Sequence, residues 1–309
     1  MTTAAATTRL DTAPIPVAAN MALAAFLWAV GLFVYFGVPA LLPLSPWFAL
    51  LLVPAVLTTT TNWALMHEAI HGHFNRSARV NDAFGRISGI LFGAPYETLK
   101  FGHLLHHSIN GTPDDRPDYY DSAKQSRLAA ALVFYPRLMF GLYAVEAIGA
   151  FACLLPRSVL KKLTALFPGE TGEERATRYL LEPRRLRAMR FDALATIALM
   201  ALAFWCYGHF WPLLALAILS RGVLISFADN GYHYAAPLGQ GARAAYNLRL
   251  PGGAAILHFN LHQVHHRHPN LPWSALPQAF AADADRYDGR YFATMASQLK
   301  GPVDYTTLR

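Results

Sequence analysis

Long apolar stretches alternate with short connections along this chain. Residues 19–38, 47–66 and 193–209 contain no Asp, Glu, Lys or Arg, and residues 211–228 contain only Arg221. Each stretch is close to the roughly 20 residues that a helix needs to cross a bilayer. The connections at 39–46 and just before Trp211 are short enough to be hairpin turns. The pattern predicts an all-α integral membrane protein with four transmembrane helices in two hairpins.

Composition supports this class. Apolar residues make up 54% of the chain and charged residues 15%, against roughly 25% charged in soluble domains. No linker rich in Pro, Gly or Ser divides residues 1–309, so we expect one domain with residues 1–18 as a flexible tail. The two cysteines, Cys153 and Cys206, lie in apolar stretches, which argues against a disulfide framework or a cysteine-ligated metal.

Positive charge predicts the orientation. Both hairpin turns lack Lys and Arg, whereas the connection between the hairpins is rich in them: Arg157, Lys161, Lys162, Arg175, Arg178, Arg184, Arg185, Arg187 and Arg190. Loops with this bias stay in the cytoplasm. We therefore expect both termini on the cytoplasmic side.

The net charge of +7 is concentrated at this membrane surface, which favours contact with anionic lipid and gives no reason to expect nucleic-acid binding.

Residues 128–155 are also apolar, but both of their flanks lie on the basic side. Their length is too short for two crossings. We expect an interfacial or re-entrant helix here.

Histidines carry the candidate chemistry. Eight of them form three clusters with i, i+3 or i, i+4 spacing, which places side chains on one helix face. The predicted topology puts all three clusters on the cytoplasmic side, where they can converge. So many imidazoles suggest two metal ions, and iron, copper and zinc accept such ligands. The clusters are His67 and His71; His103, His106 and His107; and His262, His265 and His266.

A protease is the alternative from another class. His67, Glu68 and His71 match the HExxH pattern, in which both histidines bind zinc and the glutamate is the general base. A catalytic zinc uses three protein ligands, which would leave at least five of the clustered histidines unused. Lone histidines have a simpler explanation as hydrogen-bonded structural residues, and His209 and His258 are assigned to that class.

The clusters and their flanks resemble the membrane fatty acid desaturase and hydroxylase superfamily, in particular its bacterial members. The three histidine boxes match its pattern, as do the NGTPDDRPD sequence after the second box and the HRHPNLPW sequence that overlaps the third. The resemblance implies a non-haem di-iron site with O2 as co-substrate at the cytoplasmic face of a bacterial inner membrane. It also implies a hydrophobic tunnel for an acyl chain, and iron ligation by all eight box histidines.

The resemblance also points to residues around the boxes. Stearoyl-type members have a further histidine preceded four residues earlier by Asn; here His233 follows Asp229 at that distance, so His233 is an expected ninth ligand. Carboxylates that orient ligands are expected at Glu68, Asp114, Asp115, Asp118 and Asp229. Arg221 is a charge within an apolar span, which marks it as a candidate for binding a substrate carboxylate.

The expected reaction is O2-dependent desaturation of a fatty acyl chain carried as a free acid, on acyl carrier protein, on CoA or in a lipid. The same iron site also serves hydroxylation, acetylenic bond formation, carotenoid ketolation and oxidative decarboxylation to a terminal alkene, and the sequence does not decide among them.

No haem or flavin motif is visible. Electrons are therefore expected from a separate donor such as a ferredoxin with its reductase, and the segment from Arg157 to Arg190 is a candidate docking site for an acidic carrier.

Overall fold

The computed structural model describes residues 13–115, 118–141, 148–164, 169–241 and 244–308. Most of the predicted tail, residues 1–12, lies outside this part of the chain, as do Arg116 and Pro117 of the motif after the second box.

Helices dominate the described residues. Residues 148–152 are also helical, and π-helical turns at Phe33–Gly37 and Arg137–Gly141 follow α1 and α7. The α-helices are α1 Val17–Leu32, α2 Val38–Leu41, α3 Leu52–Leu57, α4 Thr59–Ile70, α5 Ala78–Phe92, α6 Tyr96–Ile109, α7 Arg127–Pro136, α8 Arg157–Leu163, α9 Gly169–Leu180, α10 Pro183–Tyr207, α11 Trp211–Gly231, α12 His262–Arg267, α13 Leu276–Ala282 and α14 Tyr291–Ser297.

Short strands and 3-10 turns complete the fold, so it is mostly rather than purely helical. The parallel pairs join β1 Tyr119–Tyr120 to β4 Val303–Asp304, with Tyr119 opposite Val303, and β2 Leu248–Arg249 to β3 Gly289–Arg290, with Leu248 opposite Gly289. The 3-10 turns are Pro46–Leu51, Pro113–Asp115, Gly208–Phe210, Gly253–Ile256, Trp273–Ala275, Gln298–Lys300 and Tyr305–Leu308.

Three helical segments in the described part of the chain are long and apolar enough to cross a membrane: Val17–Leu41, Pro46–Ile70 and Pro183–Gly231. The third has 49 residues, more than twice the length that one crossing needs. Gly208, at φ 51°, and the 3-10 turn Gly208–Phe210 divide it into α10 and α11. This break is where the sequence places the second hairpin turn; the layout of four spans in two hairpins stays a prediction.

Local sequence signals explain several helix ends. Ser126 Oγ accepts a hydrogen bond from Ala129 N at the start of α7, and the Glu182 carboxylate accepts hydrogen bonds from Arg184 N and Arg185 N at the start of α10. Gly93 ends α5 with φ 103°, and Gly72, with φ 82°, follows the end of α4. Helix α4 therefore stops at the first histidine box.

Helix α5 lies at the centre of the packing. It contacts α4 and α10, and its Phe84 and Phe92 belong to the main core with Trp63 and Tyr96. Arg86 on α5 forms a bidentate hydrogen bond with the buried Asp192 on α10, with Nη2 to Oδ1 at 2.7 Å. This ion pair ties the short helices near the histidines to a long apolar helix.

Within residues 128–155, the described part lies beside the end of α11. Phe134 and Leu138 pack with Phe227 and Tyr234, while Leu128 on α7 is 71% exposed. An exposed apolar side is typical of a helix in contact with lipid. The predicted interfacial or re-entrant position is not tested by these contacts and stays a prediction.

Candidate metal centre

The three histidine boxes lie at the ends of helices that meet in one place. Box one is at the end of α4, box two is in the last turns of α6, and box three is in the short α12. His233 follows the end of α11 by two residues. The fold thus brings the nine predicted histidines together, in two groups.

The first group has five histidines: His67, His71, His103, His107 and His265. Their candidate ligand atoms all lie within 4.8 Å of one another. Close Nε2 to Nε2 distances are 3.0 Å for His67 and His265, 2.9 Å for His71 and His103, and 3.0 Å for His107 and His265.

The second group has four histidines: His106, His233, His262 and His266. The Nε2 of His266 is 3.2 Å from the Nε2 of His106 and 3.2 Å from that of His262, which in turn is 3.0 Å from the Nε2 of His233. These four atoms also lie within 4.8 Å of one another.

These distances fit metal ions better than hydrogen bonds. A metal held at about 2.0–2.1 Å by imidazole nitrogens places ligands at right angles about 3.0 Å apart. A neutral Nε2 has either one proton or one lone pair, yet the Nε2 atoms of His262, His265 and His266 each face two others. A cation at the centre of each group would satisfy all of these lone pairs at once.

The outer nitrogens of several histidines have partners that favour this arrangement. His106 Nδ1 is 2.9 Å from Asp115 Oδ1, and His233 Nδ1 is 2.8 Å from the carbonyl oxygen of Ala244. When Nδ1 donates to such acceptors, the Nε2 lone pair is left free for a metal. His266 differs from these two: its Nδ1 lies 3.2 Å from Asn110 Nδ2, which is a donor. Only the other orientation of the Asn110 amide, with Oδ1 toward the ring, would accept the outer N–H.

Burial and neighbouring imidazoles keep six of the clustered histidines outside the spans neutral. Burial is the main cause, and neighbouring imidazoles add to it; together they lower the pKa values of His71, His103, His262, His265 and His266 well below 6.5. Burial likewise lowers the pKa of His107 to about 3. Neutral imidazole is the form that binds a metal.

The predicted carboxylates occupy different positions. Asp115 contacts His106, whereas Asp114, in the same turn, is exposed. Asp118 Oδ2 accepts a hydrogen bond from Ala235 N, and Asp229 Oδ1 accepts one from Trp63 Nε1. The Trp63 ring is 6.3 Å from the His103 ring, so Asp229 is connected to the histidines through this tryptophan.

Glu68 is buried on the outer side of His67. Its Oε2 accepts a hydrogen bond from Trp273 N at 3.0 Å, and its Oε1 is 3.8 Å from His67 Nδ1. The Nε2 of His67 faces the other histidines. A general base for a zinc-bound water must reach the metal side of the ring, so this geometry argues against the HExxH protease reading.

Arg221 lies in α11, away from the histidine groups, where it contacts the end of α5. Its Nη1 donates to Tyr35 Oη at 3.1 Å, its Nη2 donates to the Phe92 carbonyl at 3.4 Å, and its guanidinium lies over the Phe92 ring. A cation is favourable at a helix C-terminus. Arg221 also lines a largely apolar cavity with residues of the first two spans, including Leu27, Val34, Leu52 and Asn62.

The four remaining histidines, His73, His209, His258 and His268, belong to neither group. His209 is in the turn between α10 and α11, and the His258 ring stacks on Trp273. His268 Nε2 is 2.8 Å from Asp283 Oδ2, and the His73 ring stacks on His71 at 6.1 Å.

Sequence reasoning missed three contacts at the centre: Asn110 beside His266, the Ala244 carbonyl beside His233, and the Trp273 backbone amide beside Glu68. Asn110 and Trp273 stand in the motifs that flank the boxes. A backbone group such as the Ala244 carbonyl has no sequence signal, because every residue except proline carries the same donor and acceptor.

Comparison with known proteins gives one result. A family model described as fatty acid desaturase matches residues 43–297, a range that contains all nine clustered histidines. No curated protein and no solved structure matches the chain.

Proposed function

The chain belongs to the fatty acid desaturase family, and from this premise we propose that it desaturates a fatty acyl chain at two iron ions with O2 as co-substrate. The observation that carries this proposal is the division of nine imidazoles into sets of five and four, each converging through Nε2. Two sets of ligands imply two metals.

Iron would supply the oxidising power for removing hydrogen from an unactivated methylene, which no side chain can provide. The side chains of this protein would hold the two irons and orient the ligand rings. His67, His71, His103, His107 and His265 would bind one iron, and His106, His233, His262 and His266 the other. Asp115 and the Ala244 carbonyl would fix the rings of His106 and His233.

The carboxylates are proposed in different roles. Asp115 lies 2.9 Å from the Nδ1 of His106 and is proposed to orient this ligand. Glu68 is 3.8 Å from the Nδ1 of His67, too far for a hydrogen bond, and is proposed to join the first box to Trp273, from whose backbone N–H it accepts a hydrogen bond. Asp229 is proposed to act through Trp63, and Asp114 and Asp118 to shape the loop that follows the second box.

The acyl chain is proposed to use the cavity lined by Arg221. Most of its lining is apolar, and it reaches Asn62, the neighbour of Trp63 on α4. Arg221 would bind a substrate carboxylate there. A substitution of Arg221 by Met that raises KM for free fatty acids but not for acyl esters would support this role, and equal KM changes for both would contradict it.

We propose the bacterial inner membrane as the location, with four spans and with both termini and the histidines on the cytoplasmic side. The basic connection between the hairpins supports this orientation. A separate electron donor, such as a ferredoxin with its reductase, would then reach the metal centre from the cytoplasm, with the connection between the spans as its docking surface.

Metal analysis of the purified protein, combined with turnover of an acyl panel, tests the proposal. We expect two irons per chain and, with O2 and a reducing system, products lighter by two hydrogens in mass spectrometry. A product with one added oxygen would indicate hydroxylation, and one shorter by a carbon would indicate decarboxylation. One zinc per chain together with peptide cleavage would overturn the proposal.

A further inference from the structure

Two ligand histidines share an unusual feature. The Nδ1 atoms of His67 and His262 are buried and have no hydrogen-bond partner among the described residues. Metal-bound histidines almost always donate this outer N–H, and the partner fixes the orientation of the ring. His67 belongs to the five-histidine group and His262 to the four-histidine group, so each group has at least one buried ring without this restraint.

The Phe259 ring packs against both of these histidines. Its centroid is 4.8 Å from the His67 ring at an interplanar angle of 90°, and 4.7 Å from the His262 ring at 48°. Phe259 is buried, with 6% exposure. Its ring also lies 5.3 Å from the ring of Tyr232, which itself stacks on His262 at 4.8 Å. A single phenyl ring therefore touches one ligand of each group.

The two residues before Phe259 have strained backbone angles, and the turn that they form places the Phe259 ring. Leu257 and His258 both have positive φ, 51° and 53°, which non-glycine residues rarely adopt. The turn is secured by hydrogen bonds from His258 N to Gly253 O and from Leu261 N to His258 O, both 2.9 Å. Strain of this kind is kept where a surrounding structure over-determines it, commonly at functional sites.

We propose that Phe259 is a positioning residue that holds His67 and His262 in place of hydrogen bonds and thereby fixes one ligand at each metal. This inference rests on the proposed di-iron function. The ring contacts, edge-to-face at His67 and tilted at His262, restrict rotation about the Cβ–Cγ bond of each imidazole. A rigid phenyl ring in contact with both groups also keeps these two ligands at a fixed separation. The turn at 257–258 carries the strain that this placement requires.

The test compares Phe259→Leu with Phe84→Leu in the full-length, iron-loaded protein. Phe84 is equally buried, at 3%, but its ring packs on Phe74 at 3.8 Å rather than on a ligand histidine. Two measurements are needed: the rate at which a chelator removes iron, and the Mössbauer spectrum of protein loaded with iron-57. Phe259→Met, which keeps volume without a ring, replaces Phe259→Leu if the latter does not accumulate in membranes.

We expect Phe259→Leu to release both irons about 10-fold or more faster than the unmodified chain, the scale seen when supports of metal ligands are lost, and to broaden both spectral components. Phe84→Leu should match the unmodified chain. Equal release rates for the unmodified chain and Phe259→Leu would overturn the inference, as would equal losses in both variants. If the unmodified chain itself binds no iron, the proposed function fails, which is a different result.

Discussion

At the scale of single residues, what matters is which ring nitrogen of each histidine carries a proton. Asp115 and the Ala244 carbonyl accept from Nδ1 and leave Nε2 free to bind a metal. Burial keeps most of the rings neutral. Asp114 and Asp115 are neighbours in sequence, yet one is exposed and the other contacts His106, which offers a matched pair of variants.

We predict that Asp115→Ala weakens metal binding by about 10- to 100-fold because His106 loses the acceptor that orients it. The effect should be confined to one of two metals, since His106 belongs to the four-histidine group. Metal titration followed by elemental analysis measures this. Asp114→Ala serves as the control and should bind two metals normally; equal affinities in both variants would contradict the assignment of Asp115.

His106→Ala is expected to abolish turnover while the protein stays in the membrane fraction. The substitution removes one ligand from the smaller group but no apolar packing of the spans. Product formation and membrane content are measured together. His209→Ala, in the turn before α11, should keep its activity, and retained activity of His106→Ala would count against its role as a ligand.

At the scale of elements, the ends of short helices distribute the ligands. Residues four apart share a helix face, so His103 and His107 on α6 join one group, and His262 and His266 on α12 join the other. His106 and His265 cross over to the opposite groups. Each of these two helices therefore contributes to both histidine groups, and a site that uses both groups needs the two helices in a fixed relative position.

The Arg86–Asp192 pair between α5 and α10 is predicted to contribute to this rigidity. Arg86→Leu should lower the free energy of unfolding by about 2–3 kcal/mol, because it leaves the fully buried Asp192 without its cation. This figure is reduced from that of a fully buried pair because the Arg86 side chain is 35% exposed. Denaturant titration in detergent gives the value.

Lys100→Leu provides the comparison, since Lys100 pairs with the exposed Asp82 and should contribute less than about 1 kcal/mol. The double variant Arg86→Leu with Asp192→Leu should recover much of the lost stability. If Arg86→Leu costs no more than Lys100→Leu, the ion pair does not support the packing of α5 on α10.

At the scale of the whole molecule, the fold buries many imidazoles together, and burial makes their protonation unfavourable. Six of the clustered histidines outside the spans have pKa values lowered by burial. In the unfolded chain a histidine titrates near 6.5. Below that pH the unfolded state binds more protons than the folded state, so the free energy of unfolding falls as pH falls.

We therefore predict that the Tm of the metal-free protein drops steadily between pH 7 and pH 5, and that added iron raises the Tm at pH 7. Thermal unfolding in detergent, with and without a chelator, measures both effects. A Tm that does not change over this pH range would show that these histidines accept protons in the folded state.

The topology of four spans makes a separate prediction. In a chain with Cys153 and Cys206 replaced by Ala, a membrane-impermeant maleimide should label Ser45→Cys from outside intact cells. The same reagent should label Ser158→Cys only after the membrane is opened, because that residue lies in the basic connection. Labelling of both positions from one side would contradict the two-hairpin layout.

Sequence patterns predicted much of this molecule. The apolar stretches at 19–38 and 47–66 correspond closely to the helical segments Val17–Leu41 and Pro46–Ile70. Histidine spacing and the flanking motifs indicated the family, and the match to residues 43–297 confirms it. The helices Ala78–Phe92 and Tyr96–Ile109, which place the second box beside the first, were not predicted, because they mix apolar and polar residues and lack the long uncharged run that marks a span.

The sequence by itself determined which residues are available for the chemistry: apolar length sets the candidate spans, and i, i+4 spacing sets which histidines share a helix face. Only the tertiary structure decided how the histidines divide into five and four, since residues three and four apart on a helix differ little in direction. It also decided that Asp115 rather than Asp114 reaches His106, and that Phe259 lies between the groups. These contacts join residues far apart in the chain, and only packing brings them together.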